Sequence, residues 1–130
     1  MKAEHRELLE QLRPARRVLV VDDHPSFRRC AARLLEAEGF EVVGEAGDGA
    51  SALAGAERLR PELVLLDVQL PDMDGFEVAR RLLADRPALP IVRVSSRDRS
   101  QYGPLIELSG ARGFITKGEL SGTTLEALLE

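Results

Sequence analysis

Apolar positions along this chain follow two alternating rhythms. Short, nearly continuous runs occur at residues 17–22 (RVLVVD), 41–46 (EVVGEA), 63–67 (LVLLD), 91–95 (IVRVS) and 112–117 (RGFITK). Runs of that length, bounded by turn residues, predict strands of a parallel sheet buried on both faces. Between them the apolar spacing widens to three or four residues. Phe27, Ala31, Leu34 and Leu35 share one face of a helix predicted over 25–38, which Pro25 opens and Gly39 stops. Ala50, Leu53 and Ala56 predict a helix over 48–60. Phe76, Ala79, Leu82 and Leu83 predict another over 75–85, capped by Asp74. A short helix is predicted near 105–109, ended by Gly110, and a last one over 120–129 with Leu120, Thr124 and Leu128 spaced alike. Five strands alternating with five helices imply an α/β fold, a parallel sheet wrapped on both sides. Function in such sheets gathers at the carboxyl ends of the strands.

Composition narrows the class. Of 130 residues, 44% are apolar and 31% charged, the profile of one soluble globular domain with a real core. No run approaches the roughly 18 apolar residues of a membrane span. The opening MKAEHRELLEQLRPARR lacks the apolar core of a secretion signal. No membrane contact and a cytoplasmic location are therefore expected. The single cysteine, Cys30, fits a reducing compartment and is expected in the core. A net charge of −4 argues against direct nucleic acid binding by this chain. Residues 1–15 read as a charged extension, with Leu8, Leu9 and Leu12 along one side, and residues 16–130 as the domain.

The strand ends carry the chemistry. Strand one ends in Asp22-Asp23, strand three in Asp67, strand four in Ser95-Ser96 and strand five in Thr116-Lys117. If strands one and three are neighbours, their ends lie about 5 Å apart and three carboxylates converge. Such a group needs protons or a cation. A hard divalent ion with oxygen ligands, Mg²⁺ first, answers that need, and Lys117 adds a further positive charge. Singly, each piece is ordinary: an Asp pair caps helices, a lysine is solvated, a serine sits in a turn. Their joint fall on the carboxyl ends of different strands is what singles them out.

The segments VLVVDDHPSFRR, VVGEAGDG, LVLLDVQLPDMDG, IVRVSS and GARGFITK resemble the receiver domain of two-component response regulators, over roughly residues 17–130. The VDDHP and VVGEA wording is most like the NarL/LuxR-type subfamily that usually carries a C-terminal helix-turn-helix. The resemblance implies a flavodoxin-like (βα)5 three-layer sandwich with strand order 2-1-3-4-5. It implies that Asp67 is the phosphoacceptor, and that Asp22 and Asp23 hold Mg²⁺, or Mn²⁺ in its place. Asp67 and the backbone carbonyl of Gln69 would complete the metal's protein ligands. Ser95 would be the switch hydroxyl, Lys117 the lysine that contacts the acceptor, and Phe114 the aromatic switch, while Gln69 and Arg97 tune dephosphorylation. The implied partners are a sensor histidine kinase or phosphotransfer protein, with a second copy of the chain as a further candidate. The implied chemistry is that of a phosphoacceptor that catalyses its own phosphorylation and dephosphorylation, without a separate substrate. An acid at the end of an apolar strand is costly, unless its charge is what the chemistry consumes.

Departures from the family pattern set further expectations. Gly118 stands where many receivers have a cis-proline after the lysine, so a trans bond or remodelled loop is expected. Arg93 in a central strand must snorkel or find a partner. Gly103-Pro104 predicts a long loop before a short fourth helix, on the usual output face of the family. His24 lies beside the pocket but reads first as part of the loop into the first helix rather than as a catalytic group. Arg28, Arg29 and Arg33 read as a solvated helix face. An aspartyl-phosphate phosphohydrolase would want an acid where Gln69 stands, and a flavin module would want a phosphate loop where Asp22-Asp23 stand. A receiver fold that binds partners without phosphorylation is the remaining alternative. The final residues fall inside the last helix, so a stand-alone receiver and the receiver of a longer regulator read alike.

Overall fold

Strands apolar on both surfaces are satisfied only in the middle layer of a fold. The computed structural model, which describes residues 16–95 and 113–129, builds that arrangement. Strands β1 (Arg17–Val21), β2 (Glu41–Ala46), β3 (Leu63–Asp67), β4 (Ile91–Ser95) and β5 (Gly113–Thr116) pair in the order β2-β1-β3-β4-β5, all parallel. Helices α1 (Pro25–Ala37), α2 (Gly49–Leu59), α3 (Gly75–Asp85) and α4 (Gly122–Leu129) cover them, with a 3-10 turn at Lys117–Glu119. The expected α/β fold and strand order hold.

Alternation along each strand divides the core in two. Val18, Val20, Leu63, Leu65, Val92 and Val94 face Ala31 and Leu35 of α1 and Leu125 of α4. Leu19, Val21, Val64, Leu66 and Ile91 face Ala52 and Ala56 of α2 and Val78, Ala79 and Leu82 of α3. Three layers result, with β3 buried at every position.

Helix faces depart from expectation in three places. Ala50 is exposed, and α2 instead buries Gly49, Ala52, Gly55 and Ala56. A face of such small residues brings the helix close to the sheet, where Gly55 approaches Leu19. Helix α4 starts at Gly122 rather than at residue 120, and its fully buried residue is Leu125. Ser121 and Thr124 explain the start: Ser121 N donates to Thr124 Oγ1 at 3.0 Å, and Thr124 N donates to Ser121 Oγ at 3.1 Å, a reciprocal cap. Cys30 is exposed, not in the core. At about 100° per residue it points well away from Ala31 and Leu35, which α1 buries.

Arg93 does not snorkel. It is fully buried in β4, its guanidinium 4.1 Å from the centre of the Phe76 ring. Burial pushes its pKa down to about 10, against the opposing charge of Asp74. The peptide between Lys117 and Gly118 is trans, and the loop is remodelled as the 3-10 turn. Residues 1–15, Ser96, Arg97, Gly103-Pro104 and the helix predicted over 105–109 lie outside the described residues.

Candidate functional site: an acidic pocket at the strand ends

Register makes the pocket. Val21 pairs with Leu66, so the next residues, Asp22 and Asp67, emerge side by side at the carboxyl ends of β1 and β3. Asp22 is fully buried and Asp67 nearly so, while Asp23 is partly open to solvent. Lys117, just past β5, reaches back over the sheet end. Its Nζ lies 2.6 Å from Asp22 Oδ2 and 3.8 Å from Asp67 Oδ2, with the Phe27 ring centre at 4.5 Å. The lysine is thus bound closely to Asp22 and only loosely to Asp67. Burial, then the charge of Asp22, pushes the Asp67 pKa up to about 6. The Gln69 N–H, which donates to Asp67 Oδ1 at 3.2 Å, and Lys117 pull the other way.

The loops that carry these groups are tied down. Gly75 N donates to Val68 O at 2.7 Å, and a Cβ at Gly75 would stand 2.2 Å from the Asp67 carbonyl oxygen. Only glycine lets α3 start so near the acid. Asp74 caps α3 by accepting from Glu77 N. The Asp72 carboxylate accepts from Gly49 N at 2.7 Å and Ala50 N at 2.9 Å, which joins the loop after β3 to the first turn of α2. These bonds hold its carboxyl below the usual range, the one to Gly49 most. On the other side Arg28 donates to the Asp22 carbonyl, with Glu45 Oε1 3.4 Å from its Nε.

The structure therefore brings together Asp22, Asp23, Asp67 and Lys117. Ser95 is buried at the end of β4, one residue beyond Val94, the register partner of Asp67. Phe114 lies half-buried on β5 as the partner of Arg93. Gln69 is exposed just past β3, and Arg97 lies outside the described residues. Two more residues join the site. His24 places Nδ1 3.0 Å from both Asp22 Oδ1 and Asp23 Oδ1, so that Asp22, Asp23, His24 and Asp67 offer ligand atoms within 4.8 Å of one another. Arg28, read as solvated, instead anchors the acidic loop. Adjacency to Asp22-Asp23 was the available signal for His24. For Arg28 there was none, because its target is a backbone carbonyl.

A doubly wound parallel sheet with its site at the switch point is shared by small signalling and nucleotide-binding domains, and an acidic pocket there disfavours a bound phosphate. Among these domains, the family profile "Response regulator receiver domain" matches residues 18–129, and the chain belongs to that family. Over 103 residues it is 39% identical to the response regulator GacA of Pseudomonas viridiflava, covering 78% of this chain and 48% of that one. It is 46% identical over 118 residues to a protein-glutamate methylesterase/protein-glutamine glutaminase of Anaeromyxobacter dehalogenans, covering 88% of this chain and 33% of that one. The chain thus spans about half the length of GacA. Among solved structures, a LuxR-family two-component response regulator from Aurantimonas sp. SI85-9A1 superposes with a TM-score of 0.81 at 31% identity, covering 88% of this chain and 85% of that one. Chemotaxis response regulator CheY4 of Vibrio cholerae superposes with a TM-score of 0.76 at 30% identity, covering 88% and 96%. Among the described residues no helix is long and apolar enough to cross a membrane.

Proposed function

We propose that this receiver accepts a phosphoryl group on Asp67 from the phosphohistidine of a sensor kinase or phosphotransfer protein, and that the change is read out through Ser95, Phe114 and the surface around β5. The observation that carries the reading is Asp67 itself, a nearly buried carboxylate beside Asp22 and within 3.8 Å of Lys117. An Asp67 oxygen attacks phosphorus; the O–P bond forms as the donor's N–P bond breaks, and the electron pair leaves with the imidazole, which takes a proton.

The donor set fits Mg²⁺. Three carboxylates gather around one point, and burial, then the repulsion of Asp22, leaves Asp67 with a raised pKa; a hard cation with oxygen ligands would relieve both. Asp22, Asp23, Asp67 and the Gln69 carbonyl would hold it. When bound, the ion neutralises charge on the transferring group. Lys117 offers a second cation to the phosphoryl oxygens, and the Ser95 hydroxyl a hydrogen bond. The product exchanges the acceptor's single charge for roughly −1.5 to −2, which draws Ser95 toward it and opens space for Phe114.

The test is intact mass after incubation with acetyl phosphate and Mg²⁺. One added phosphoryl group is expected, lost with EDTA and in Asp67→Asn. No added mass even after a rapid quench would overturn the reading in favour of a receiver that binds partners without phosphorylation.

A further inference from the structure

His24 stands apart from the oxygen ligands as a nitrogen donor at the rim of the acidic pocket. Its Nδ1 is 3.0 Å from Asp22 Oδ1 and 3.0 Å from Asp23 Oδ1. Two ligand atoms in adjacent positions about a six-coordinate ion are separated by √2 times the bond length, about 3.0 Å for bonds of about 2.1 Å. A pair on opposite sides is about 4.2 Å apart by the same reckoning, and no pair in the group of Asp22, Asp23, His24 and Asp67 exceeds 4.8 Å. The two oxygens of Asp22 are divided between partners. Oδ2 faces Lys117 at 2.6 Å, while Oδ1 faces His24 and accepts the His24 N–H at 2.8 Å. Lys117 Nζ also lies 3.5 Å from His24 Nδ1, so the ammonium holds the place beside the imidazole that an entering divalent cation would take.

We infer that His24 Nδ1 is a ligand of the metal pocket, and that the site accordingly takes a borderline divalent transition ion such as Co²⁺, Ni²⁺ or Zn²⁺ more tightly than Mg²⁺. Imidazole suits such ions, whereas Mg²⁺ prefers oxygen and sheds its water reluctantly. The backbone bond from His24 to Asp22 Oδ1, together with the Arg28 bond to the Asp22 carbonyl, holds the histidine's loop in place. The inference rests on the acidic pocket being the metal site of the proposed function, and concerns which ion that site selects.

Calorimetric binding constants for Mg²⁺ and for Co²⁺ test it, on the whole chain and on His24→Gln and His5→Gln, the latter removing the other histidine of the sequence. The expected result is a fall of at least tenfold in the Co²⁺-to-Mg²⁺ affinity ratio in His24→Gln, with a shift of the visible Co²⁺ spectrum, and neither change in His5→Gln. An unchanged ratio and spectrum in His24→Gln, with Mg²⁺ and Co²⁺ still bound, would overturn this inference and leave the phosphorylation reading standing. Changes seen in His5→Gln instead would overturn it equally. Binding of neither ion by the unaltered chain would remove both the inference and the Mg²⁺ site.

Discussion

At Asp67, burial and the neighbouring charge of Asp22 raise the carboxyl from an ordinary 3.8 to about 6. An acid with a raised folded pKa binds its proton more tightly folded than unfolded. Between pH 4 and pH 6 the folded chain then holds more protons, so stability falls as pH rises through that window. The displacement corresponds to about 3 kcal/mol. Urea denaturation in EDTA is expected to show that decline, and Asp67→Asn to remove most of it, so that the variant is the more stable chain at pH 7. At Gly75 the opposite holds. A methyl group would press on the Asp67 carbonyl, so Gly75→Ala is expected to lose about 1–3 kcal/mol and to phosphorylate more slowly, since the acceptor must move to make room.

Elements show why some features were legible and others not. Strands β1 and β3 announced themselves because burial on both faces leaves no polar alternation, and the acids at their ends stood out against VLVV and LVLL. Helix α2 hid its face because alanines and glycines give little contrast between buried and exposed sides. Helix α4 hid its start because Leu120 continues the apolar spacing, although the Ser121–Thr124 cap decides it. Arg28 was misread for a related reason: its partner is set by how the loop after β1 folds back, which no periodicity encodes. The link between α2 and the loop after β3 is testable. Asp72→Asn is expected to destabilise the chain at neutral pH by weakening its bonds to Gly49 and Ala50. Because the folded carboxyl is depressed, that difference should fade as pH falls below the ordinary carboxylate range. Arg93, between β4 and α3, is a buried cation over Phe76. Arg93→Met takes the cation off the Phe76 ring and its opposing charge away from Asp74, so urea denaturation is expected to find it about 1–3 kcal/mol less stable.

Across the whole molecule, a metal ion in the pocket would couple its binding to folding. Asp22, just past β1, and Asp67, the last residue of β3, meet at the ends of adjacent strands, and an ion that binds only when these strands are paired would stabilise the entire sheet. At a hundredfold excess over Kd the gain is about 2.7 kcal/mol. Thermal unfolding is expected to shift upward with Mg²⁺ at pH 7 and less at pH 5, where a proton on Asp67 competes with the ion. An equal shift at both pH values would place the ion elsewhere.

The exposed position of Cys30 has a practical consequence. It is the only thiol in the sequence, and it lies on the helix that Arg28 ties to the acidic loop. A maleimide dye or spin label will therefore attach at a single place without mutagenesis, near enough to α1 to report on that loop. The same thiol lets two copies crosslink in air, so a dimer of this chain must survive a reducing agent before it is read as signalling.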